Sequence, residues 1–237
     1  MSTGTAVRPR RRHELVQLAL LILGVLLLIA LLVDRIVLHG SNGPGAGSGV
    51  AATQARSLPR FTGLDLAGAN NVVVRVGGRQ SVVVHADRNL LGRVTTEVRS
   101  RRLVIGTTPG SLNARAPMYV TVSVPSLDHL TLSGAGNISV SGIDSRSLTV
   151  ALPGSGTIHV AGTTAKLRVT ISGEGTALLR ELIARDAKAV LDGDGTIMLT
   201  VTHDLGARVS GTGAVLYGGS PARVTQAVTG SGTISPG

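Results

Sequence analysis

Three carboxylates in the second half of the chain are the residues whose types and spacing could perform chemistry together. Asp192 and Asp194 stand two positions apart in the stretch LDGDGTIMLTV, and Glu174 occupies the equivalent of Asp194 in an earlier segment. Carboxylates held close together raise one another's pKa and can bind a divalent cation such as Ca²⁺. The competing interpretation is that all three are solvent-facing turn residues. The small residues at equivalent positions of other segments favour that interpretation.

Other residue types that carry chemistry are sparse or badly placed. The six histidines form no His-x-His pair, and no serine lies on a strand-to-helix nucleophile turn. The chain has no cysteine, so disulfides and cysteine zinc sites are excluded. Its formal net charge is +10, but only three aromatic residues could stack on bases, which argues against nucleic-acid binding. We therefore predict no catalytic residue, no metal and no cofactor.

The carboxylates belong to a repeat that must position them. Six segments share one pattern: an aliphatic alternation, Gly-x-Gly, and a second aliphatic alternation. The segments are LTLSGAGNISV (130–140), VALPGSGTIHV (150–160), VTISGEGTALL (169–179), AVLDGDGTIML (189–199), ARVSGTGAVLY (207–217) and QAVTGSGTIS (226–235). Their first glycines are spaced 20, 19, 20, 18 and 19 residues apart, the regularity expected of solenoid coils.

The alternation with a period of two predicts strands that each bury one face. Coils stacked about 4.8 Å apart would align equivalent residues as aliphatic ladders. We predict that the Gly-x-Gly corners bend through backbone conformations closed to residues with a Cβ. The structural turn glycines are Gly134, Gly136, Gly154, Gly156, Gly173, Gly175, Gly193, Gly195, Gly211, Gly213, Gly230 and Gly232. Residues 176–191 are helix-forming in composition, but the flanking corners and the period predict a strand, with a short helical turn near residues 181–185 as the alternative.

Residues 59–125 are also rich in β-branched residues but lack the regular period. The stretches NVVVRV, SVVVHA, RLVIG and MYVTVSV predict strands, separated by turn-forming stretches such as GGRQ and ADRN. This region is either an irregular first half of the same solenoid or a meander that caps its N-terminal end. Residues 126–237 hold the regular repeats of about 19–20 residues.

The N-terminal region has the pattern of a membrane anchor. Residues 15–38 contain LVQLALLILGVLLLIALLV, whose 19 residues at about 1.5 Å each match a bilayer core of about 30 Å. This stretch is longer than the apolar region of a cleaved signal peptide, so we predict an uncleaved transmembrane helix. The basic arm, residues 1–14, is predicted to be cytoplasmic and the C-terminal domain extracytoplasmic. Residues 39–58, rich in Gly and Ser, are predicted to be a flexible linker.

A family resemblance covers residues 60 to 235. The stretch from FTGLDLAGANNVVVRV to RRLVIG, followed by LSGAGNISV, LPGSGTIHV and LDGDGTIML, resembles the head GIN domain family of auto-transporter adhesins. The resemblance implies an all-β domain, residues 59–237, folded as a right-handed single-stranded parallel β-helix of the pectate-lyase kind. The family supplies no catalytic residues to carry over.

These patterns together predict a membrane-anchored, surface-exposed, adhesin-like binding protein of the bacterial cell envelope that is not an enzyme. The predicted partners are the lipid bilayer through residues 15–38, a cell-wall or surface polymer, and a second copy through the C-terminal β-helix edge. One alternative is an envelope enzyme or binding module that acts on acidic polysaccharide, with Glu174, Asp192 and Asp194 as its site. A second alternative is a sensory ectodomain.

Overall fold

The structure is a computed structural model that describes residues 45–237. The predicted basic arm (1–14), the predicted transmembrane helix (15–38) and the first part of the predicted linker lie outside the described residues. Within residues 45–237, no helix is long and apolar enough to cross a membrane. Residues 51–55 of the predicted linker form the first strand, which pairs with another strand of the domain.

The described residues form an all-β domain of fifteen strands with one short 3₁₀ turn, Leu91–Arg93. The first strands are β1 (Ala51–Ala55), β2 (Gly63–Leu66), β3 (Asn71–Val76), β4 (Ser81–Asp87), β5 (Val94–Arg99), β6 (Arg102–Thr107), β7 (Tyr119–Val124) and β8 (His129–Leu132). The remainder are β9 (Asn137–Leu152), β10 (Thr157–Ile171), β11 (Thr176–Asp192), β12 (Thr196–Gly211), β13 (Ala214–Gly218), β14 (Arg223–Gly230) and β15 (Thr233–Pro236).

The long strands β9 to β12 each run from one Gly-x-Gly corner to the next and pair in parallel. Each strand changes direction at a shift of register, for example between Val160 and Gly162. Its first part therefore belongs to one side of the coil and its last part to another. We call the side that follows the corners the outgoing face and the side that precedes them the incoming face. The segment 176–191, helix-forming in composition, lies in strand β11 as predicted.

The core is built from aliphatic ladders, as the alternation predicts. On the outgoing face Ile158 aligns with Ile138 below it and with Ala177 above it, and the column continues through Ile197 to Val215. All five side chains are buried. Fully burying an aliphatic side chain of this size contributes about 1.5–3 kcal/mol, so each added coil extends a continuous stabilising column. The β-solenoid predicted from the repeat is confirmed.

Residues 59–125 belong to the same stack, but their order in it differs from their order in the chain. Strands β2 and β3 form a coil that pairs in parallel with β8 and β9 on one side. On its other side the same coil pairs in parallel with β6 and β7, which follow it in sequence. The chain thus completes one coil, adds a coil on its N-terminal side, and then resumes stacking in the opposite direction.

The prediction of an all-parallel single-stranded helix needs a correction at the N-terminal end. There β4 pairs antiparallel with β7, β5 pairs antiparallel with β6, and β1 pairs antiparallel with β4. A short turn suffices to reverse a strand, whereas a parallel neighbour needs a full coil. These antiparallel strands occupy pairing edges that an open solenoid would expose. The region is therefore both part of the solenoid and its cap.

The C-terminal end has no such cover among the described residues. Strand β14 pairs with β12, and β15 pairs with β13. Val228, on the inward side of β14, is 46% exposed, and its ladder partner Val209 is fully buried. Gln226, the polar residue on the same inward side, is exposed as well. The last coil is therefore half-solvated.

Candidate functional site

The Gly-x-Gly corners stack directly on one another along one edge of the solenoid. A Cβ added to Gly195 would lie 2.5 Å from the carbonyl oxygen of Gly175 and 2.9 Å from Ile171 Cγ2. Hydrogen bonds join the corners as well, for instance from Thr196 N to the oxygen of Gly175 at 3.1 Å. Only three of the twelve corner glycines have a left-handed φ: Gly193, Gly211 and Gly230. For the other nine the proposed backbone reason is wrong, and close approach of a neighbouring coil requires glycine instead.

The three predicted carboxylates lie on this corner edge, and all are exposed. Asp192 Oδ1 accepts a hydrogen bond from Ser210 Oγ at 2.6 Å, and Asp194 Oδ1 accepts one from the Thr212 hydroxyl of the next coil. Glu174 makes no side-chain hydrogen bond to any described residue. The structure thus places each aspartate on a hydroxyl partner, and a metal or catalytic role for the three carboxylates stays the untested alternative to the prediction of no site.

A different set of side chains converges on the incoming face. Within residues 45–237, the set of His, Asp and Glu side chains whose ligand atoms all lie within 4.8 Å of one another is Asp186, His203 and Asp204. His203 Nδ1 lies 3.0 Å from Asp186 Oδ1 and 3.3 Å from Asp204 Oδ2. Arg223 Nη1 lies 3.8 Å from the other oxygen of Asp204. A neighbouring guanidinium opposes cation binding, so these contacts are best described as a polar network that contains one arginine–aspartate ion pair.

Beside this network lies a groove of about 290 Å³ in the incoming face. We call it the basic groove, and its lining residues are Ser147, Thr149, Lys166, Leu167, Arg168, Asp186, Ala187, Lys188, Asp204 and Gly206. Arg168 aligns with Lys188 on the next strand, and Lys188 aligns with Gly206. A Cβ at Gly206 would meet nothing within 4 Å, so the lack of a side chain at this position leaves that part of the basic groove open.

The free charge of the basic groove is positive. Lys166, Arg168 and Lys188 are exposed, and the two lysines are the only lysines in the chain. The two acids of the groove are engaged by His203 and Arg223. None of the three cations makes an ion pair with a carboxylate in the described part of the chain. The groove therefore presents cations together with hydroxyl groups.

Sequence reasoning missed the basic groove because its cations come from different coils. Lys166 and Arg168 belong to β10 and Lys188 to β11, so along the chain they read as scattered single charges. Only the register brings them to adjacent positions. One feature of the sequence could have revealed the groove: Arg168 and Lys188 both precede a Gly-x-Gly corner and are 20 residues apart, the spacing of the repeat.

The outgoing face has another chemistry. Its outward column just after the corners holds Thr157, Thr176 and Thr196, aligned by the strand register. The next outward column includes Leu178 and Met198, which are partly exposed. The two faces of one solenoid thus differ: the outgoing face carries a threonine column with single arginines such as Arg75 and Arg180, and the incoming face carries the basic groove.

A stack of parallel coils with an antiparallel cap at its N-terminal end defines the class of protein as a capped β-solenoid repeat domain. Residues 60–221 match the family "Putative auto-transporter adhesin, head GIN domain", and the chain belongs to this family. No curated protein sequence matches the chain significantly.

Solved structures share the fold. A putative adhesin from Bacteroides fragilis is 21% identical, with a TM-score of 0.68, over 81% of this chain and 99% of that one. A putative lipid binding protein from Parabacteroides distasonis is 20% identical, with a TM-score of 0.53, over 81% of this chain and 98% of that one. A putative adhesin from Parabacteroides distasonis is also 20% identical, with a TM-score of 0.51, over 81% and 99%. At this level of identity the likeness is one of fold.

Proposed function

We propose that the chain is a non-catalytic, adhesin-like binding protein of the bacterial cell envelope whose basic groove binds an acidic surface polymer. The observation that carries the proposal is the placement of Lys166, Arg168 and Lys188 around one groove without carboxylate partners. Membership of an adhesin family supports it. A polymer with repeated carboxylate or phosphate groups is the chemistry that such a groove complements.

The physical basis is a combination of charge and repetition. Arg168 and Lys188 sit on adjacent strands, which lie about 4.8 Å apart. A flexible anionic chain laid across the strands would bring successive charges near successive cations. The hydroxyl groups of Ser147 and Thr149 line the same groove and suit the hydroxyls of a sugar ring. Because the cations are exposed, binding is expected to weaken as the ionic strength rises.

Anchoring and location extend the proposal. Residues 15–38 would hold the protein in the cytoplasmic membrane with residues 1–14 in the cytoplasm, and the solenoid would face outward on a tether that ends near β1. A right-handed coil is proposed as well, in keeping with parallel β-connections generally. Sequencing the N-terminus of the mature protein checks the anchor. A mature chain that starts near Ala51 would contradict it.

The binding test compares variants with equal loss of charge. In the groove variant, Lys166, Arg168 and Lys188 are each replaced by glutamine. In the control variant, three exposed arginines outside the groove are replaced in the same way: Arg75, Arg88 and Arg180. Affinity for an acidic polysaccharide and for neutral dextran is measured at low and moderate salt. We expect at least about tenfold weaker acidic-polymer binding in the groove variant only. An equal loss of acidic-polymer affinity in both variants would mean that binding depends only on the overall charge of the protein, and it would overturn the proposal.

A further inference from the structure

A second cleft, of about 520 Å³, lies at the other end of the domain. We call it the arginine cleft, and it is lined by Arg60, Phe61, Thr62, Arg79, Gln80, Arg101, Pro125 and Ser126. These residues come from four connections: the segment before β2, the β3–β4 turn, the β5–β6 hairpin and the β7–β8 loop. All four meet on the side of the coil away from the Gly-x-Gly corners.

Three arginines share this cleft without a balancing carboxylate. Arginine ion pairs in residues 45–237 are those of Arg99, Arg102 and Arg223, so none of them involves a cleft arginine. Asp128, the acid in the adjoining β7–β8 connection, has its Oδ1 2.9 Å from His129 Nδ1. Three uncompensated guanidinium groups around one cleft raise the local potential and attract an anion.

The segment that carries Arg60 is held in place by the half-buried side-chain amide of Gln80. Gln80 Oε1 accepts a hydrogen bond from Phe61 N at 3.3 Å, and Gln80 Nε2 donates to the oxygens of Leu58 and Pro59 at 3.1 and 3.0 Å. The ring of Phe61 is buried in the core below the cleft. The backbone on both sides of Arg60 is therefore fixed before any ligand arrives, which lowers the entropy lost on binding.

The backbone that carries Arg101 is strained. Ser100 and Arg101 form the tip of the β5–β6 hairpin with φ values of +48° and +62°. Turns of this kind favour Asn and Gly, because a side chain at positive φ is unfavourable. The carbonyl oxygen of Arg101 accepts hydrogen bonds from Thr62 N at 3.0 Å and Gly63 N at 3.2 Å. A long cationic side chain is thus held at a position that glycine would fill with less strain, which points to function.

We propose that the arginine cleft binds a phosphate group carried by a small polyol or sugar. The planar guanidinium forks of Arg60, Arg79 and Arg101 can donate paired hydrogen bonds to phosphate oxygens. The hydroxyls of Thr62 and Ser126 add two further donors. The volume lies within the range of small-molecule sites and leaves room for the group that the phosphate esterifies. This site shares no residue with the basic groove and does not depend on it.

The test uses the full chain and three phosphate probes. Inorganic phosphate reports the shared chemistry, glycerophosphoglycerol represents a lipid headgroup, and poly(glycerol phosphate) represents a wall polymer. Affinities are measured by calorimetry for the wild type, Arg101→Gly, Arg79→Gln and the control Arg146→Gln, whose arginine is exposed outside the cleft. The Arg101→Gly variant removes the guanidinium and relieves the backbone strain at the positive φ of residue 101. A loss of phosphate binding in this variant therefore cannot be attributed to a loss of folding stability.

We expect Arg101→Gly and Arg79→Gln each to bind phosphate about tenfold more weakly, while Arg146→Gln binds as the wild type does. Arg101→Gly should unfold at the same or a higher denaturant concentration. Tighter binding of the polymer than of the headgroup assigns the ligand to the wall, and the reverse assigns it to lipid. Absence of saturable binding up to about 10 mM phosphate, or wild-type affinity in Arg101→Gly, overturns the proposal. The basic-groove variant should retain phosphate binding, so failure of one proposal leaves the other testable.

Discussion

Replacing Gly195 with alanine tests whether close approach between coils is the reason for the corner glycines. The backbone of Gly195 is not left-handed, so alanine introduces no φ strain there. Its Cβ would lie 2.5 Å from the Gly175 oxygen, whereas ordinary contact begins at 3.4 Å. The two coils would have to separate locally by about 0.9 Å, whereas neighbouring atoms in a close-packed interior shift by only a few tenths of an ångström.

The expected cost follows from the contacts at that corner. Two hydrogen bonds flank the position, Thr196 N to the Gly175 oxygen and Ala214 N to the Gly195 oxygen, both at 3.1 Å. Weakening them costs about 0.5–1.5 kcal/mol each, and the overpacking costs about 1–3 kcal/mol. We therefore expect Gly195→Ala to lower the free energy of unfolding by about 2–6 kcal/mol, measured by urea denaturation followed by circular dichroism.

The matched control is Gly206→Ala on strand β12. An added Cβ there meets nothing within 4 Å and the backbone is not left-handed. Alanine should therefore leave stability unchanged or raise it by about 0.4–1 kcal/mol, because it restricts the unfolded chain. If Gly195→Ala changes stability by less than about 0.5 kcal/mol, or if Gly206→Ala is equally destabilising, the stacking argument is refuted.

Two further predictions concern buried polar groups. The backbone N–H groups of Ala116, Arg115 and Gly49 donate hydrogen bonds to the Asp87 carboxylate and hold its pKa below the ordinary value. The ionised carboxylate therefore stabilises the folded protein fully above about pH 4, and this contribution is lost as the pH falls through the lowered pKa. Asp87→Asn should lower the melting temperature at pH 7 and flatten the loss of stability in acid; unchanged acid melting would contradict this. Thr164 Oγ1, buried, accepts from Ser145 Oγ at 3.0 Å and donates to the Lys166 oxygen at 3.2 Å. Thr164→Val should lower the free energy of unfolding, measured by urea denaturation, by about 1–2 kcal/mol. The control Thr163→Val, at the exposed neighbouring position, should change it by less than about 0.5 kcal/mol. Equal effects of the two substitutions would refute the role of the Thr164 hydroxyl.

The regular half of the fold follows from local pattern. Alternating aliphatic residues predict that each segment forms a strand with one buried face. Gly-x-Gly corners spaced 18 to 20 residues apart predict that these strands stack as coils. Even the helix-forming stretch of β11 obeys the period, because its neighbours on both sides supply the pairing that a strand needs. Burial of the ladders, from Ile138 to Val215, is the physical consequence.

In the regular repeats, from β9 to β12, each strand pairs with the strand that follows it in the chain, so the sequence by itself determined which strands are neighbours. Between residues 59 and 125 that rule fails: β3 pairs with β9, whose first residue lies 66 positions further on, and β7 inserts on the other side of β3. Tertiary pairing alone decided that order, and with it the antiparallel cap. It also decided both proposed binding surfaces, since the cations of the basic groove and the arginine cleft lie on separate strands and turns. Charges far apart along the chain become one site only when register and turn geometry place them side by side.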